Sequence, residues 1–434
     1  MRGSKRYPSV VKGCLLCSIS LVMYLYYQVS YSITHIDDNL MPKSDAKVQS
    51  LRTYPDDLPT GESSIEEWER HTENRLMGLF QYSSIANIQL PTEDLEVPAQ
   101  NEEANNRLLD EDIVILTMKG HKFNPEDGKP TPNQDRIVVL SKQDKGSYHK
   151  NKANGEWWMG LFDGHGFFGH DVSQYVSSEF VRRINQEWED KDSSLSSTAT
   201  NKLSSDKVKE TLKKIFLETK LSMPSFMNTS GSTGISVLKK RNSLYISNIG
   251  DSVGLVASYD KRNGSLEIVH ATKPHKPDDP SEQKRIEAAG GRVQPPPLPQ
   301  YSARLMIPIT INGETIEIGL AMSRSFGDHD GLEFGLSSEP DTDVLDLSQF
   351  DKSKEYFVLL ATDGLIDKFL LSEKEVALAM AKAMSDEEKT IRGPSDSNRG
   401  TEAAKALMLR SAAMWFAEGD YRDDISIVAH RIRF

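Results

Sequence analysis

The chain has 434 residues, 37% of them apolar, and a formal net charge of −12 from 52 lysines and arginines against 64 aspartates and glutamates. That length allows two or three average domains, and the low apolar share implies that part of it is tail or linker and not packed core. The acidic balance argues against a nucleic-acid binder, and with both cysteines, Cys14 and Cys17, at the extreme N-terminus, the remainder has neither a disulfide framework nor thiol chemistry. Cys14 and Cys17 have the spacing of half a zinc site, but their apolar surroundings and the lack of a second pair speak against one.

Arg2, Lys5, Arg6 and Lys12 precede an uncharged run from Gly13 to Thr34, with Asp37-Asp38 beyond it. At a rise of roughly 1.5 Å per residue, about 20 such residues cross a bilayer core of roughly 30 Å. Tyr24, Tyr26, Tyr27 and Tyr31 gather at the distal end, where amphipathic rings favour the headgroup region. Residues 1–36 are therefore expected to be a basic N-terminus with one retained membrane-spanning helix. The competing reading is a signal peptide cleaved near Ser30-Tyr31-Ser32, which would send the chain into the secretory pathway. The basic flank favours a cytosolic N-terminus, and Asn228-Thr229-Ser230 and Asn263-Gly264-Ser265 permit glycosylation of a lumenal remainder. A couple of such sequons arise by chance, so the side of the membrane stays open.

Residues 37–110 are acidic, polar and interrupted by Pro42, Pro55, Pro59, Pro91 and Pro98, which reads as a mostly disordered linker. Within it, Ser64 and Glu67 have capping-box spacing, and Ile65, Trp68, Leu76 and Leu79 recur at helical intervals, giving a short docking helix.

Residues 111–434 have the texture of one folded domain. Strands are expected at Ile137–Leu140, Trp157–Phe162, Leu244–Asn248, Gly254–Ser258, Phe357–Ala361 and Ile425–Ala429. Helices are expected at Val172–Trp188, Val208–Ser222, Glu282–Ala289, Lys374–Met384 and Ala403–Phe416, with Ser372 and Glu375 as a capping box for the fourth. Strands in blocks with helices between them suggest an α+β domain of sheets with helices outside.

Aspartates leave these strands repeatedly. Asp163-Gly164-His165-Gly166 follows Trp157–Phe162, Asp363-Gly364 follows Phe357–Ala361 with Asp367 beyond, and Asp251 ends the Leu244 strand. Asp423-Asp424 opens the Ile425 strand, and Asn133-Gln134-Asp135 opens the Ile137 strand. One Asp-Gly is an ordinary strand end. Several together would repel one another unless a hard divalent cation such as Mg²⁺ or Mn²⁺ joined them.

From about Asp112 onward the chain resembles the metal-dependent type 2C serine/threonine protein phosphatases. The resemblance rests on Asn133-Gln134-Asp135, Phe162–Gly166, Gly231-Ser232-Thr233, Asn248–Ser252 and His275-Lys276-Pro277 with Arg285-Ile286 and Ala289-Gly290-Gly291. It continues through Leu320–Asp328, Glu339-Pro340, Ala361–Gly364 and Asp423–Ser426. It implies a four-layer α/β/β/α sandwich with two central antiparallel sheets and a two-metal site at one edge, holding Mg²⁺ or Mn²⁺. By the same resemblance Asp163 bridges both ions, the Gly164 carbonyl binds one, Asp363 and Asp423 complete a shell, Asp135 assists through water, and Asp251 and Asp367 hold a weaker third ion.

The reaction so implied is hydrolysis of protein phosphoserine and phosphothreonine by in-line attack of a metal-bridged hydroxide, with His165 as general acid. Phosphoproteins are the implied partners, and a monomer is expected. Three positions depart from the family's usual pattern. Gln134 replaces a glutamate, Val253 replaces an arginine, and the phosphate-binding arginine is missing, with Lys129 as its expected substitute. His275 is read as structural, Arg324 as pairing near Asp328, and Gln294–Pro299 as a stiff stretch of a flap beside the site and not an interaction-domain ligand. The alternatives are a small-molecule phosphatase of the same fold and a scaffold that retains the fold without activity.

Overall fold

The computed structural model describes residues 80–81, 112–122, 131–142, 155–190, 194–195, 205–224, 229–298, 301–311, 314–367, 370–385, 399–418 and 421–434. The expected membrane helix, the linker helix and Lys129 lie outside them, and none of the described helices is long and apolar enough to cross a membrane. The chain divides into two compact units. The first comprises Met1–Gly78, Phe123–Thr131 and Ile309–Ile316; the second comprises Leu79–Lys122, Pro132–Pro308 and Glu317–Phe434.

The strands, in chain order, are β1 (Phe80–Gln81), β2 (Ile113–Met118), β3 (Asp135–Ser141), β4 (Trp157–His165), β5 (Gly231–Ser232), β6 (Gly234–Lys240), β7 (Ser243–Ile249) and β8 (Val253–Asp260). They continue with β9 (Ser265–Ala271), β10 (Arg292–Gln294), β11 (Arg304–Ile311), β12 (Glu314–Leu320), β13 (Phe326–Gly327), β14 (Asp341–Asp346), β15 (Glu355–Ala361) and β16 (Ile425–Ile432). The helices are α1 (Gly169–Glu189), α2 (Ser205–Leu221), α3 (Pro280–Ala288), α4 (Glu373–Ser385) and α5 (Arg399–Glu418). One sheet runs β1-β2-β16-β15-β8-β9, the other β13-β5-β4-β6-β7-β14 with β3 also on β4, and β10-β11-β12 form a small third sheet.

Strand β4 shows why the layers stack. Its side chains alternate across the sheet, so Trp158 and Phe162 join one core while Trp157, Met159 and Leu161 join another. The first core lies under α1 and α2, where Val172, Val176, Phe180 and Ile184 recur at helical spacing and bring one face of α1 onto the sheet. Phe180 gathers Phe162, Phe216 and Phe326 at centroid distances of 5.2, 4.9 and 5.7 Å. The second core is shared by both large sheets, with Ile235 and Ile246 from one and Val358, Leu360 and Val428 from the other. Helices α4 and α5 pack on each other and cover β2, β8 and β9. This is the expected four-layer α+β sandwich.

All the strands and helices expected within residues 111–434 form. Strands β2, β6, β9, β11, β12 and β14 are among those not anticipated. The lysine pair at the end of β6 hides a wholly buried strand; Lys240 Nζ is taken in by the Glu156 carboxylate at 3.0 Å and the Leu195 carbonyl at 2.8 Å. Strand β14 reads as polar sequence because it pairs only with β7, at the margin of its sheet.

The expected pairing of Arg324 near Asp328 does not occur. Helix α3 is capped by Asp279, whose side chain accepts the Ser281 N–H, and it buries Glu282. Glu282 accepts from Arg285 at 2.7 Å, Ser323 at 2.6 Å and Arg324 at 2.7 Å, while Arg324 also donates to Asp341 at 2.9 Å. A buried carboxylate with this many donors wins the guanidinium over a distant one. His275 is structural as expected, buried with Nε2 3.2 Å from Asp341.

Burial alone would raise the Glu282 pKa, but the bonds from Arg324, Arg285 and Ser323 outweigh it and pull it down to about 2. Since an unfolded glutamate titrates at about 4.3, this group adds stability fully above that pH and loses it as pH falls toward the folded value. Glu282→Ala, which strands two arginines, is expected to cost about 3 kcal/mol or more by denaturant unfolding at pH 7. The wild-type advantage should shrink below about pH 4; an equal difference at pH 7 and pH 2.5 would refute the linkage.

Candidate active site

The strand ends bring the aspartates together. Asp135 opens β3 directly opposite Asp163 on β4. Ala361, the last residue of β15, pairs with Val253 at the start of β8 and with Ile427 near the start of β16. Asp363, Asp251 and Asp423 therefore leave the other large sheet at one common edge. The end of β2 is there too, since Met118 pairs with Ile425.

The charges confirm that these ends converge. Burial pushes the Asp163 carboxyl well above its ordinary range, and the neighbouring charges of Asp135, Asp363 and Asp423 push it further. Asp363 is raised likewise by burial and then by Asp251, Asp423 and Asp367. Asp135, raised to about 7 by burial and Asp424, has one oxygen held by the Thr362 hydroxyl at 3.2 Å, while its Oδ1 is buried with no hydrogen-bond partner. Each expected acidic ligand thus belongs to one cluster: Asp135, Asp163, Asp363 and Asp423 on one side, Asp251 and Asp367 beside Asp363.

Two ammonium groups stand among them. Lys122 Nζ pairs with Asp423 and lies 3.1 Å from Asp424 and 3.4 Å from Gln134 Oε1. Burial would lower its pKa, but Asp423 and Asp424 hold it up. Lys276 Nζ binds Asp251 at 2.6 Å and is influenced by Asp363 and Asp367. Lys122 carries no local signal of its own, since a lone lysine four residues past the end of β2 looks like any loop lysine.

The backbone around the cluster is tightly tied. Gly164 N–H donates to the Gln134 carbonyl at 3.2 Å, and Thr233 N–H donates to the Asp163 carbonyl at 2.9 Å. Gln134 Nε2 donates to the Gly166 carbonyl at 2.8 Å, a bond that a glutamate there could not make. So Gln134 clasps the Asp163–Gly166 turn. Ser411 and Trp415 of α5 donate to the Gly364 carbonyl at 2.8 and 2.9 Å, fixing the turn that carries Asp363. Asp424 accepts the Gly120 and Gln134 N–H groups at 2.5 and 3.1 Å and so joins the start of β16 to the segments after β2 and before β3.

His165 closes one side, with Nε2 2.7 Å from Asp328 Oδ2. Val253, in place of the expected arginine, is a buried core residue opening β8.

As the side chains stand, no three His, Cys, Asp or Glu groups among the described residues are arranged to hold an ion. The donor set nevertheless fits a hard divalent cation. Its carboxylates are crowded beyond comfortable ionisation, and Asp135 presents a buried oxygen without a partner.

A family model described as "Protein phosphatase 2C" matches residues 133–414. The chain is 29% identical over 277 residues to the Arabidopsis thaliana protein described as "Probable protein phosphatase 2C 41", covering 62% of this chain and 72% of that one. It is 34% identical over 220 residues to the Oryza sativa subsp. japonica "Probable protein phosphatase 2C 64", covering 50% of this chain and 47% of the relative, so it spans about half that relative's length. The crystal structure of a serine-threonine phosphatase 2C from Toxoplasma gondii shares the fold, with a TM-score of 0.54 and 19% identity over 74% of this chain and 94% of that one. The chain belongs to the protein phosphatase 2C family, a family of metal-dependent protein serine/threonine phosphatases.

Proposed function

We propose that the aspartate cluster is the catalytic centre of a phosphatase that hydrolyses phosphoserine and phosphothreonine in proteins with Mg²⁺ or Mn²⁺. The observation that carries this reading is the convergence of Asp135, Asp163, Asp363 and Asp423 from four strand ends onto one edge. These residues, with the Gly164 carbonyl, would hold two ions, and Asp251 with Asp367 a weaker third. When bound there, the ions would offset the carboxylate repulsion and bring a nucleophilic water to phosphorus at neutral pH.

The chain's own groups do the rest. Lys122, which pairs with Asp423 and Asp424, is a point charge at the cluster suited to a phosphoryl oxygen. His165 supplies the proton that a serine or threonine oxygen needs in order to leave. Gln134, Thr233 and Trp415 hold the two aspartate turns still while charge moves.

The full-length chain is expected to dephosphorylate a phosphothreonine peptide with Mn²⁺, to stop with EDTA, and to recover when Mn²⁺ is restored in excess. Turnover that survives EDTA would refute the metal assignment. A higher kcat/KM for soluble phosphate esters than for phosphopeptides would favour the small-molecule reading, and no turnover under any condition would favour a scaffold.

A further inference from the structure

We propose that Asp328 is the positioning residue of the proton donor: its carboxylate fixes the His165 ring so that the imidazole's other nitrogen is left to serve the departing oxygen. This rests on the reading of His165 given above. His165 ends β4 and Gly327 ends β13, and both pair with Gly231 of β5. That short strand therefore brings His165 and the residue after Gly327 to the same place.

The contact is built in several ways. His165 Nε2 and the Ser325 hydroxyl both bind Asp328 Oδ2, at 2.7 and 2.6 Å. The carboxylate is 2% exposed, so water does not compete for it. A Cβ on Gly231 would stand 2.6 Å from His165 Nε2 and closer still to the Asp328 carboxylate, so a glycine is required for the two to meet.

Asp328 itself adopts φ 44° and ψ 44°, one of two non-glycine residues with positive φ among the described residues. Such strain persists only where the surroundings over-determine it, and it gathers at functional sites. Here the turn aims the carboxylate at the ring, with its N–H held by the Ser230 carbonyl at 3.0 Å. On the other side of the ring, His165 Nδ1 is buried with no protein partner, a polar atom that a substrate oxygen or water would satisfy.

The step balances simply. The bond from water oxygen to phosphorus forms as the bond to the serine or threonine oxygen breaks; the water's protons stay with the product phosphate, which releases one to solvent, and the leaving oxygen takes one proton from the imidazolium. The ring ends neutral, keeps Nε2–H on Asp328, and regains a proton from solvent. Asp328 stays ionised throughout; it sets tautomer and orientation, as an aspartate does behind other catalytic histidines.

Full-length Asp328→Asn tests this on a phosphothreonine peptide and on p-nitrophenyl phosphate, whose leaving group departs without a proton. On the peptide kcat is expected to fall about 10- to 100-fold with KM within about twofold, while the nitrophenyl ester loses no more than about threefold. In a His165→Ala background Asp328→Asn should cost nothing further on the peptide. Equal losses on both substrates, or a full additional loss in that background, would overturn the assignment.

If Asp328→Asn melts well below wild type, Ser325→Ala carries the test, since it keeps the carboxylate and removes one of its two tethers. The loss should again be larger on the peptide, and an even loss refutes the proposal. A wild-type chain that is idle on the peptide or indifferent to EDTA would instead strike at the phosphatase reading, so the two failures are distinct.

Discussion

Asp163→Asn is expected to lower kcat by about 10³-fold or more on peptide and nitrophenyl substrates alike, since even the outer partners of a metal ligand are worth 10- to 100-fold. The same substitution should leave the metal-free protein as stable as wild type, or more so. Burial and the charges of Asp135, Asp363 and Asp423 hold the folded-state pKa of Asp163 above its unfolded value. The sign follows from linkage: ionising such a carboxyl at neutral pH costs folding free energy, and an amide escapes that cost. Added Mn²⁺ should then raise the melting temperature of wild type more than that of the variant, because binding to the native state alone stabilises it. Thermal melts in EDTA and in Mn²⁺, beside turnover, check both halves. A variant that keeps its activity, or that melts far below wild type in EDTA, would contradict the place of Asp163 among the metal-holding residues.

The second large effect concerns His165. His165→Gln is expected to lower kcat on a phosphothreonine peptide by about 10²- to 10⁴-fold, the usual worth of a positioned general acid. Burial disfavours the imidazolium, but the charge and hydrogen bond of Asp328 more than compensate, so its pKa lies above the ordinary histidine value. The acid form must be protonated to work. Wild-type kcat should therefore decline as pH rises through that elevated pKa, and this alkaline limb should be missing from the variant. A limb that survives in His165→Gln would assign it to another group.

The acidic part of the site was legible in the sequence because its ligands carry their own local signal, an apolar strand released into a glycine turn or opened by an aspartate pair. Asp163, Asp363, Asp251 and Asp423 all have that signature, and the structure gathers them. The basic part was not legible. Lys122 is a lone lysine in a loop after β2, and the segment between it and Asn133 separates it from the motif it serves. Asp328 lies inside a recognisable motif, yet local spacing points it to the wrong partner. Arg324 is close to it in sequence, but Glu282 and Asp341 claim the guanidinium, and the histidine that Asp328 meets is 163 residues away. Partners chosen by topology leave no trace in local spacing.

The pairing of β16 with β2 on one side and β15 on the other also has a consequence for the order of events during synthesis. Ile427 lies against Leu116, so the last strand closes a sheet begun near the start of the domain. Contacts so distant in sequence are slow to form, and here they cannot form until the chain as far as β16 has left the ribosome. Asp423 and the clasp made by Asp424 arrive with that strand. The nascent chain therefore carries an unfinished acidic cluster until β16 is in place, and the cluster is completed in one step.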